Sequence, residues 1–267
     1  MKKICLLLSL MLMPLVASAE KVEIDGIWYE LNSESKTAEV AINSSGKYKG
    51  SIVIPMYVSY ENVQYSVTSI GDLVFNDCLS LASITIGNNV TRIGKWAFAD
   101  CLHLTSITIP NSVVSIGNRA FSGCSRISSV TIGYSVKSIG NYAFYKCRRL
   151  TSVSIPNNVT SIGENAFKEC SGLTSIISQN PTPPAITSTT FDSYTAVLKV
   201  PTGSKAAYQA ADYWKNFENV EEIDVDGVQG IQVDKRQNTM VYDLNGRRLD
   251  APTKGVSIIN GRKVLVK

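Results

Sequence analysis

A strict 23-residue repeat constrains this chain more than any other feature of its sequence. Four kinds of residue recur at that spacing: a glycine preceded by isoleucine, a phenylalanine, a cysteine, and a leucine or isoleucine. The four columns are Gly71, Gly94, Gly117, Gly140 and Gly163; Phe75, Phe98, Phe121, Phe144 and Phe167; Cys78, Cys101, Cys124, Cys147 and Cys170; and Leu81, Leu104, Ile127, Leu150 and Leu173. Coincident columns over consecutive units predict a stack of short repeats.

A single unit, residues 90–111, reads as two extended segments joined by a turn. Residues 106–109 alternate polar and apolar side chains, the period of a half-buried strand. Gly94 predicts a turn, with positive φ as the expected reason for glycine. The apolar positions between residues 97 and 101 predict one helical or 3₁₀ turn. A unit this short cannot close a core alone, so neighbouring units must share one.

The repeat V-x-S-I-G-x-x-A-F-x-x-C-x-x-L-T-S-I-T-I-P-N resembles the BspA-like leucine-rich repeat over residues 67 to about 177. This resemblance implies a right-handed leucine-rich-repeat solenoid, β-rich, with a parallel strand ladder and short helical or 3₁₀ turns. It also implies a surface or secreted protein of bacterial type. The family is associated with adhesion to host matrix proteins and with interaction between cells.

The domain organisation follows from where the repeat begins and ends. Residues 1–19 carry two lysines, an apolar run and the small residues Ala17-Ser18-Ala19, as a cleaved signal peptide does. Residues 20–66 are predicted to form an N-terminal β cap, with a degenerate first unit near Ile52. Residues 67–223 form the solenoid with its C-terminal cap, and residues 224–267 form a separate β tail. No later segment predicts a membrane span.

The C-terminal cap is predicted from a break in the repeat. Ser178 stands where an inward isoleucine is expected, and a proline-rich segment follows at residues 181–184. Residues 204–214 predict a short helix with Ser204 as its N-cap. Residues 213–217 resemble the aromatic closing turn that is common at the end of such bacterial repeat arrays.

The tail predicts two hairpins with Asn-Gly turns, at Asn245-Gly246 and Asn260-Gly261. These hairpins resemble the C-terminal sorting domains of type IX secretion in Bacteroidetes-type bacteria. The alternative is a small β addition that packs against the cap.

The residues that most often carry chemistry have a structural interpretation here. The five repeated cysteines are expected to be free, buried thiols, rather than reactive groups or metal ligands. His103, the single histidine, and the carboxylates Asp100, Glu164 and Glu169 are expected to be solvated surface groups. The chain also has no nucleotide-binding or nucleophile motif. We therefore predict no enzyme activity, no cofactor and no metal site.

Two surfaces are candidates for recognition. The outward strand positions form a small, uncharged hydroxyl face, either a satisfied ladder or a shallow recognition face. The turn side is variable, with Lys95, Arg119 and Tyr134 among its residues, and Tyr and Arg are common interface anchors. Our candidate partner-binding residues are Trp96, Tyr142, Tyr145, Lys146, Arg148 and Arg149.

The sequence therefore predicts an exported protein, attached to the outer membrane or extracellular, that acts as a non-catalytic binding or adhesion scaffold. The expected partner is a protein or glycan of a host or neighbouring cell. The net charge of +4 is too small and too dispersed to favour nucleic acid. A structural surface-layer spacer and an accessory glycan-capture protein are the alternatives. The sequence does not define the oligomeric state.

Overall fold

The 23-residue spacing becomes backbone pairing between successive units in the computed structural model of the chain. The structure describes residues 20–44 and 46–224, together with four short strands between residues 241 and 266. The predicted signal peptide, residues 1–19, lies outside the described residues and stays a prediction. Residues 1–225 and 226–267 form two compact units, each described by itself below.

Each complete turn of the solenoid, called a rung here, has a short strand, a turn segment and a second strand. In the central rungs the short strands pair in parallel with one another, and so do the second strands. Ser115, for example, lies opposite Arg92 on one side and Ser138 on the other. The result is a β-solenoid of about 7 turns with almost no helix. The strands of these rungs are β8 (Arg92–Ile93), β9 (Ser106–Thr108), β10 (Ser115–Ile116), β11 (Ser129–Thr131), β12 (Ser138–Ile139), β13 (Ser152–Ile155), β14 (Ser161–Ile162) and β15 (Ser175–Ser178).

The N-terminal segment extends the same ladders. Two antiparallel strands cover one end, and the next strand pairs in parallel with the first long strand of the solenoid. The predicted degenerate unit near Ile52 is a strand that pairs in parallel with the strand at residues 81–86. An inserted hairpin separates the two. The strands of this segment are β1 (Glu20–Ile24), β2 (Ile27–Asn32), β3 (Thr37–Val40), β4 (Gly50–Ile54), β5 (Tyr57–Tyr60), β6 (Val63–Ile70) and β7 (Leu81–Ile86).

The C-terminal cap continues the second ladder with β16 (Val197–Pro201) and β17 (Val220–Ile223). Between them lie helix α1 (Lys205–Ala210) and a 3₁₀ helix (Trp214–Asn216). Ser178 is fully buried, and its hydroxyl lies 2.6 Å from the Tyr208 hydroxyl. The serine is therefore a polar partner for the capping helix.

The helix cap differs from the sequence prediction. Ser204 occupies the N-cap position but its side chain makes no capping hydrogen bond, and the helix ends at Ala210. Glu222 Oε1 instead accepts hydrogen bonds from the backbone amides of Gly203 and Lys205, both at 3.0 Å. A carboxylate from the following strand thus satisfies the amide before the N-cap and the first amide of the helix, whereas an N-cap serine hydroxyl would accept from the second or third helical amide.

The core consists of side-chain columns that run along the solenoid, as predicted. Phe75, Phe98, Phe121, Phe144 and Phe167 stack with ring centroids 4.9 to 5.4 Å apart and with interplanar angles of 2° to 6°. Phe191 extends this stack into the C-terminal cap, where its ring meets those of Trp214 and Phe217. These phenylalanines are buried, so the rings exclude water from rung to rung.

The cysteine column lies beside the phenylalanines. All five of these thiols are buried and free, as expected for small ladder residues. Four of them donate to a phenylalanine carbonyl oxygen of the preceding rung; Cys124 Sγ, for example, lies 3.0 Å from the Phe98 oxygen. Burial raises the pKa of Cys78 to about 11 and that of Cys170 to about 12, so these thiols are protonated at neutral pH.

The glycine column is required for a different reason from the one predicted. None of these glycines has positive φ. A Cβ atom on Gly117 would lie 2.6 Å from the carbonyl carbon and oxygen of Gly94, one rung away. The Gly117 amide donates to the Ile93 oxygen at 2.9 Å. Glycine is therefore needed so that two backbones can approach each other.

The second unit is a small antiparallel sheet with strand order β19-β18-β20-β21. Its strands are β18 (Val241–Tyr242), β19 (Arg248–Leu249), β20 (Gly255–Ile259) and β21 (Arg262–Val266). The pairing of Val241 with Leu249, and of Ile259 with Arg262, agrees with the two predicted hairpins.

Candidate functional site

The turn segments that carry the candidate residues are not helical, in contrast to the prediction. Two positions in each segment have a left-handed backbone. In the segment that follows β8, these are Trp96, with φ 58°, and Asp100, with φ 56°. The amides of Trp96, Phe98 and Asp100 donate to carbonyl oxygens of the next rung at 2.7 to 2.9 Å. The two left-handed residues of each segment prevent a continuous helix, and every second backbone amide donates a hydrogen bond to the next rung instead.

The left-handed positions place side chains in register on the outer surface. Trp96, Arg119 and Tyr142 occupy the first of these columns in three successive rungs, and Trp96 is 37% exposed. The Arg119 guanidinium lies between the two aromatic rings, 4.6 Å from the Trp96 centroid and 4.0 Å from the Tyr142 centroid. Both distances are within the range of cation–π attraction, so one arginine holds two aromatic side chains in place.

A second group of contacts continues from Tyr142. Its ring meets the ring of Tyr145 edge to face, with centroids 5.5 Å apart. The Tyr145 hydroxyl donates to Glu169 Oε1 at 2.5 Å, and Lys146 Nζ lies 4.9 Å from the Tyr145 ring. Arg148 and Lys146 approach the other Glu169 oxygen at 3.7 and 4.0 Å.

Glu169 therefore organises the basic side chains of this second group. The Tyr145 hydrogen bond, followed by the positive charges of Lys146 and Arg148, lowers the pKa of Glu169. The carboxylate is consequently ionised at neutral pH, when the tyrosine and the two basic groups converge on it. Arg148 is exposed and Lys146 is half-buried, and both form long ion pairs with Glu169.

The structure thus connects five of the six predicted residues through one continuous set of contacts, which also includes Arg119 and Glu169. We define the turn surface as the side chains Trp96, Arg119, Tyr142, Tyr145, Lys146, Arg148, Arg149 and Glu169. The sixth predicted residue, Arg149, is exposed beside Arg148 and makes no ion pair with any described residue.

Sequence reasoning missed the two residues that link the others. Arg119 was grouped with the variable turn positions, and Glu169 with the solvated carboxylates. A signal was available, because Arg119 lies 23 residues after Trp96 and 23 before Tyr142, and Glu169 lies 23 after Lys146. Placing every variable residue in register identifies both.

The remaining polar groups have the positions that the repeat gives them. His103 is exposed, and its Nδ1 atom contacts the carbonyl oxygen of Leu79. Within residues 20–44 and 46–224, no three His, Cys, Asp or Glu side chains converge as a metal site would require. In the same residues, no helix is long and apolar enough to cross a bilayer.

The predicted hydroxyl face is formed by the strand ladder of β9, β11 and β13. Ser106, Thr108, Ser129, Thr131 and Ser152 are all exposed on it. In this ladder Ser106 is paired with Ser129, and Ser129 with Ser152, so the hydroxyl groups lie in straight rows. The face has no charged or aromatic side chain at these positions, which distinguishes it from the turn surface.

Comparison with known proteins agrees with the repeat and the fold. A model of the BspA type leucine rich repeat region matches residues 58–174 in 6 copies. The chain is similar to a leucine-rich repeat protein from Bacteroides ovatus ATCC 8483, with 30% identity, a TM-score of 0.54, and coverage of 67% of this chain and 46% of that chain. It is also similar to the T. pallidum leucine rich repeat protein TpLRR, with 26% identity, a TM-score of 0.53, and coverage of 59% and 71%.

The chain spans less than half the length of the Bacteroides ovatus protein. No curated protein matches the chain. The family match, the parallel ladders and the two similar solved structures agree on one type of repeat. Residues 58–174 of this chain match the BspA type leucine rich repeat region, and they form the central part of a β-solenoid.

Proposed function

We propose that this chain is a non-catalytic binding scaffold that holds a protein or glycan of a host or neighbouring cell on its turn surface. The observation that carries the proposal is the continuous contact path from Trp96 through Arg119 and Tyr142 to Glu169. Aromatic and arginine side chains supply most of the energy in protein interfaces when they are held in fixed positions. Here Trp96, Arg119 and Tyr145 each contact a side chain on the next rung.

The rigidity of the solenoid supports this role. The turn segments that carry these side chains are bonded to one another through backbone amides at every rung. Little conformational entropy is then lost when a partner binds, because the binding groups are already ordered. The hydroxyl face lacks large anchors, so we place the contact on the turn surface.

A binding array of extracellular-matrix proteins and glycans tests this function. The test variant is Tyr145→Ala/Arg148→Ala, and the matched control is Ser106→Ala/Ser129→Ala on the hydroxyl face. We expect a ligand whose affinity falls at least about tenfold in the test variant and stays unchanged in the control. A ligand that is lost only in the control, or no ligand at all, contradicts the proposal.

Export is the second part of the proposed function. Residues 1–19 as a signal peptide would carry the chain across the inner membrane, and residues 224–267 as a type IX-like sorting tail would direct it to the outer surface. The two hairpins of the tail support this sorting role. Surface proteomics of the native cell with C-terminal peptide mapping tests it. We expect surface peptides that start at or after Glu20, and an exclusively cytoplasmic, unprocessed chain contradicts it.

A further inference from the structure

A row of three side chains extends from Arg149 at the edge of the turn surface, and its two arginines make none of the contacts described so far. Residues 103, 126 and 149 are one repeat apart, and they are His103, Arg126 and Arg149. The strands that follow them are paired in exact repeat register, Ser106 with Ser129 and Ser129 with Ser152. The three side chains therefore start about 4.8 Å apart along the solenoid, the distance between paired strands.

The charge of this row is not compensated. Arg126 and Arg149 are exposed, and neither forms an ion pair with a residue in the described part of the chain. Arg148 and Lys146 lie beside Arg149, and Glu169 is the carboxylate that pairs with both. The unpaired charges of Arg126 and Arg149 are unfavourable for the free protein and favourable for an anionic partner.

Much of the backbone near the row is already hydrogen-bonded. The amides of Gly123, Lys146, Arg148 and Leu150 all donate to backbone carbonyl oxygens. An extended peptide that ran along the solenoid axis would place alternate side chains about 6.6 Å apart, which does not match the spacing of about 4.8 Å between rungs. The row presents guanidinium groups, and these bind planar or tetrahedral oxyanions through paired hydrogen bonds.

From this arrangement we propose that Arg126 and Arg149, with Arg148 beside them, bind a sulfated linear polysaccharide that runs along the solenoid axis. The proposal rests on the proposed function and deepens it by naming the ligand class. Sulfate groups that branch from successive sugars can meet arginines on successive rungs without any bond to the protein backbone. The ring faces and hydroxyl groups of the sugars then lie towards the exposed hydroxyls of Ser128 and Thr151 at the adjacent repeat position.

The test uses the full chain and immobilised heparin as the sulfated probe. The same heparin after chemical desulfation and poly-L-glutamate serve as comparison probes. The test variant is Arg126→Gln/Arg149→Gln, and the matched control is Lys137→Gln/Lys205→Gln, which removes the same charge from two exposed lysines elsewhere. Circular dichroism confirms that both variants are folded.

We expect heparin to bind, desulfated heparin and poly-L-glutamate to bind at least about tenfold more weakly, and the test variant to lose about tenfold or more in heparin affinity. The control should change affinity by less than about twofold, because its lysines are outside the row. In a series of salt concentrations, the slope of log affinity against log salt should fall by about two in the test variant. Glu169→Gln should strengthen heparin binding, because it removes the nearby negative charge.

Equal losses in the test variant and the control would show unspecific charge attraction and overturn the proposal. Tighter binding of poly-L-glutamate than of heparin would assign the row to an acidic protein and also overturn it. If heparin fails but the array yields a protein ligand that Tyr145→Ala/Arg148→Ala abolishes, the proposed function stands and only the ligand class is wrong. If neither probe nor array gives a ligand, both proposals fail.

Discussion

Replacing Phe121 by alanine tests whether the rungs share one core. The ring is fully buried and stacks on Phe98 and Phe144, with centroids 5.1 and 5.3 Å away. Phenylalanine-to-alanine substitution in a core costs about 3–5 kcal/mol, and each lost aromatic pair adds about 0.5–1.5 kcal/mol beyond the buried area. Phe121 loses two such pairs, so we expect a loss of at least about 4 kcal/mol in the free energy of unfolding.

Urea denaturation followed by circular dichroism measures this loss, and a double-mutant cycle identifies its cause. Phe98 and Phe121 are adjacent in the stack, so their alanine variants should show a coupling energy of about 1 kcal/mol. Phe75 and Phe144 do not touch, and their variants should be additive within about 0.5 kcal/mol. Leucine replaces alanine in the same cycle if a double alanine variant does not fold. Equal coupling in both pairs, or a loss below about 1 kcal/mol for Phe121→Ala, would refute a continuous stacked core.

Three further predictions concern the backbone, the cap and the thiols. Gly117→Ala should destabilise the fold by several kcal/mol in urea denaturation, since its Cβ would meet Gly94 at 2.6 Å. Leu73→Gly should instead raise stability by up to about 1 kcal/mol, because Leu73 has φ 62° and an exposed side chain. The opposite order of stabilities would contradict our account of the turns. Glu222→Ala should lower the melting temperature, because it removes two hydrogen bonds from backbone amides that are together worth about 1–2 kcal/mol. Ser204→Gly should destabilise the protein less, and a larger effect at Ser204 would identify serine as the cap. Burial raises the pKa of Cys170 from 9.0 in the unfolded chain to about 12, so the contribution of this thiol to stability is fully present below pH 9.0 and is lost as the pH rises to about 12. Cys170→Ala should therefore reduce the fall of the unfolding free energy over that interval by up to about 1.4 kcal/mol per pH unit. An unchanged slope would show that this thiol does not contribute.

The sequence was sufficient to predict the stacked architecture because the repeat fixes which residues meet. Phe98, Cys101 and Leu104 had to lie against their counterparts one repeat away, and all three are fully buried. Backbone conformation was harder to predict. Left-handed φ at Trp96 and Arg119 has no signature in residue type, because the cost at these positions is offset by bonds between rungs.

The candidate surface was predicted as a set of residue types and not as a network. Composition identified Tyr142, Tyr145 and Arg148 as good anchors, but it gave no reason to add Glu169 to them. The cap shows the same limit, because Ser204 has the local pattern of an N-cap while Glu222 arrives from the next strand. Contacts that depend on the fold need the register as well as the residue type.

The most direct test of a binding turn surface is a hydrogen-exchange footprint of the tightest ligand from the matrix and glycan array. Amide exchange is measured for the full chain with and without that ligand. We predict slower exchange in the turn segments at residues 117–127 and 140–150, with little change in β9, β11 and β13. Protection confined to those three strands, with the turn segments unchanged, would place the partner on the hydroxyl face and contradict the account.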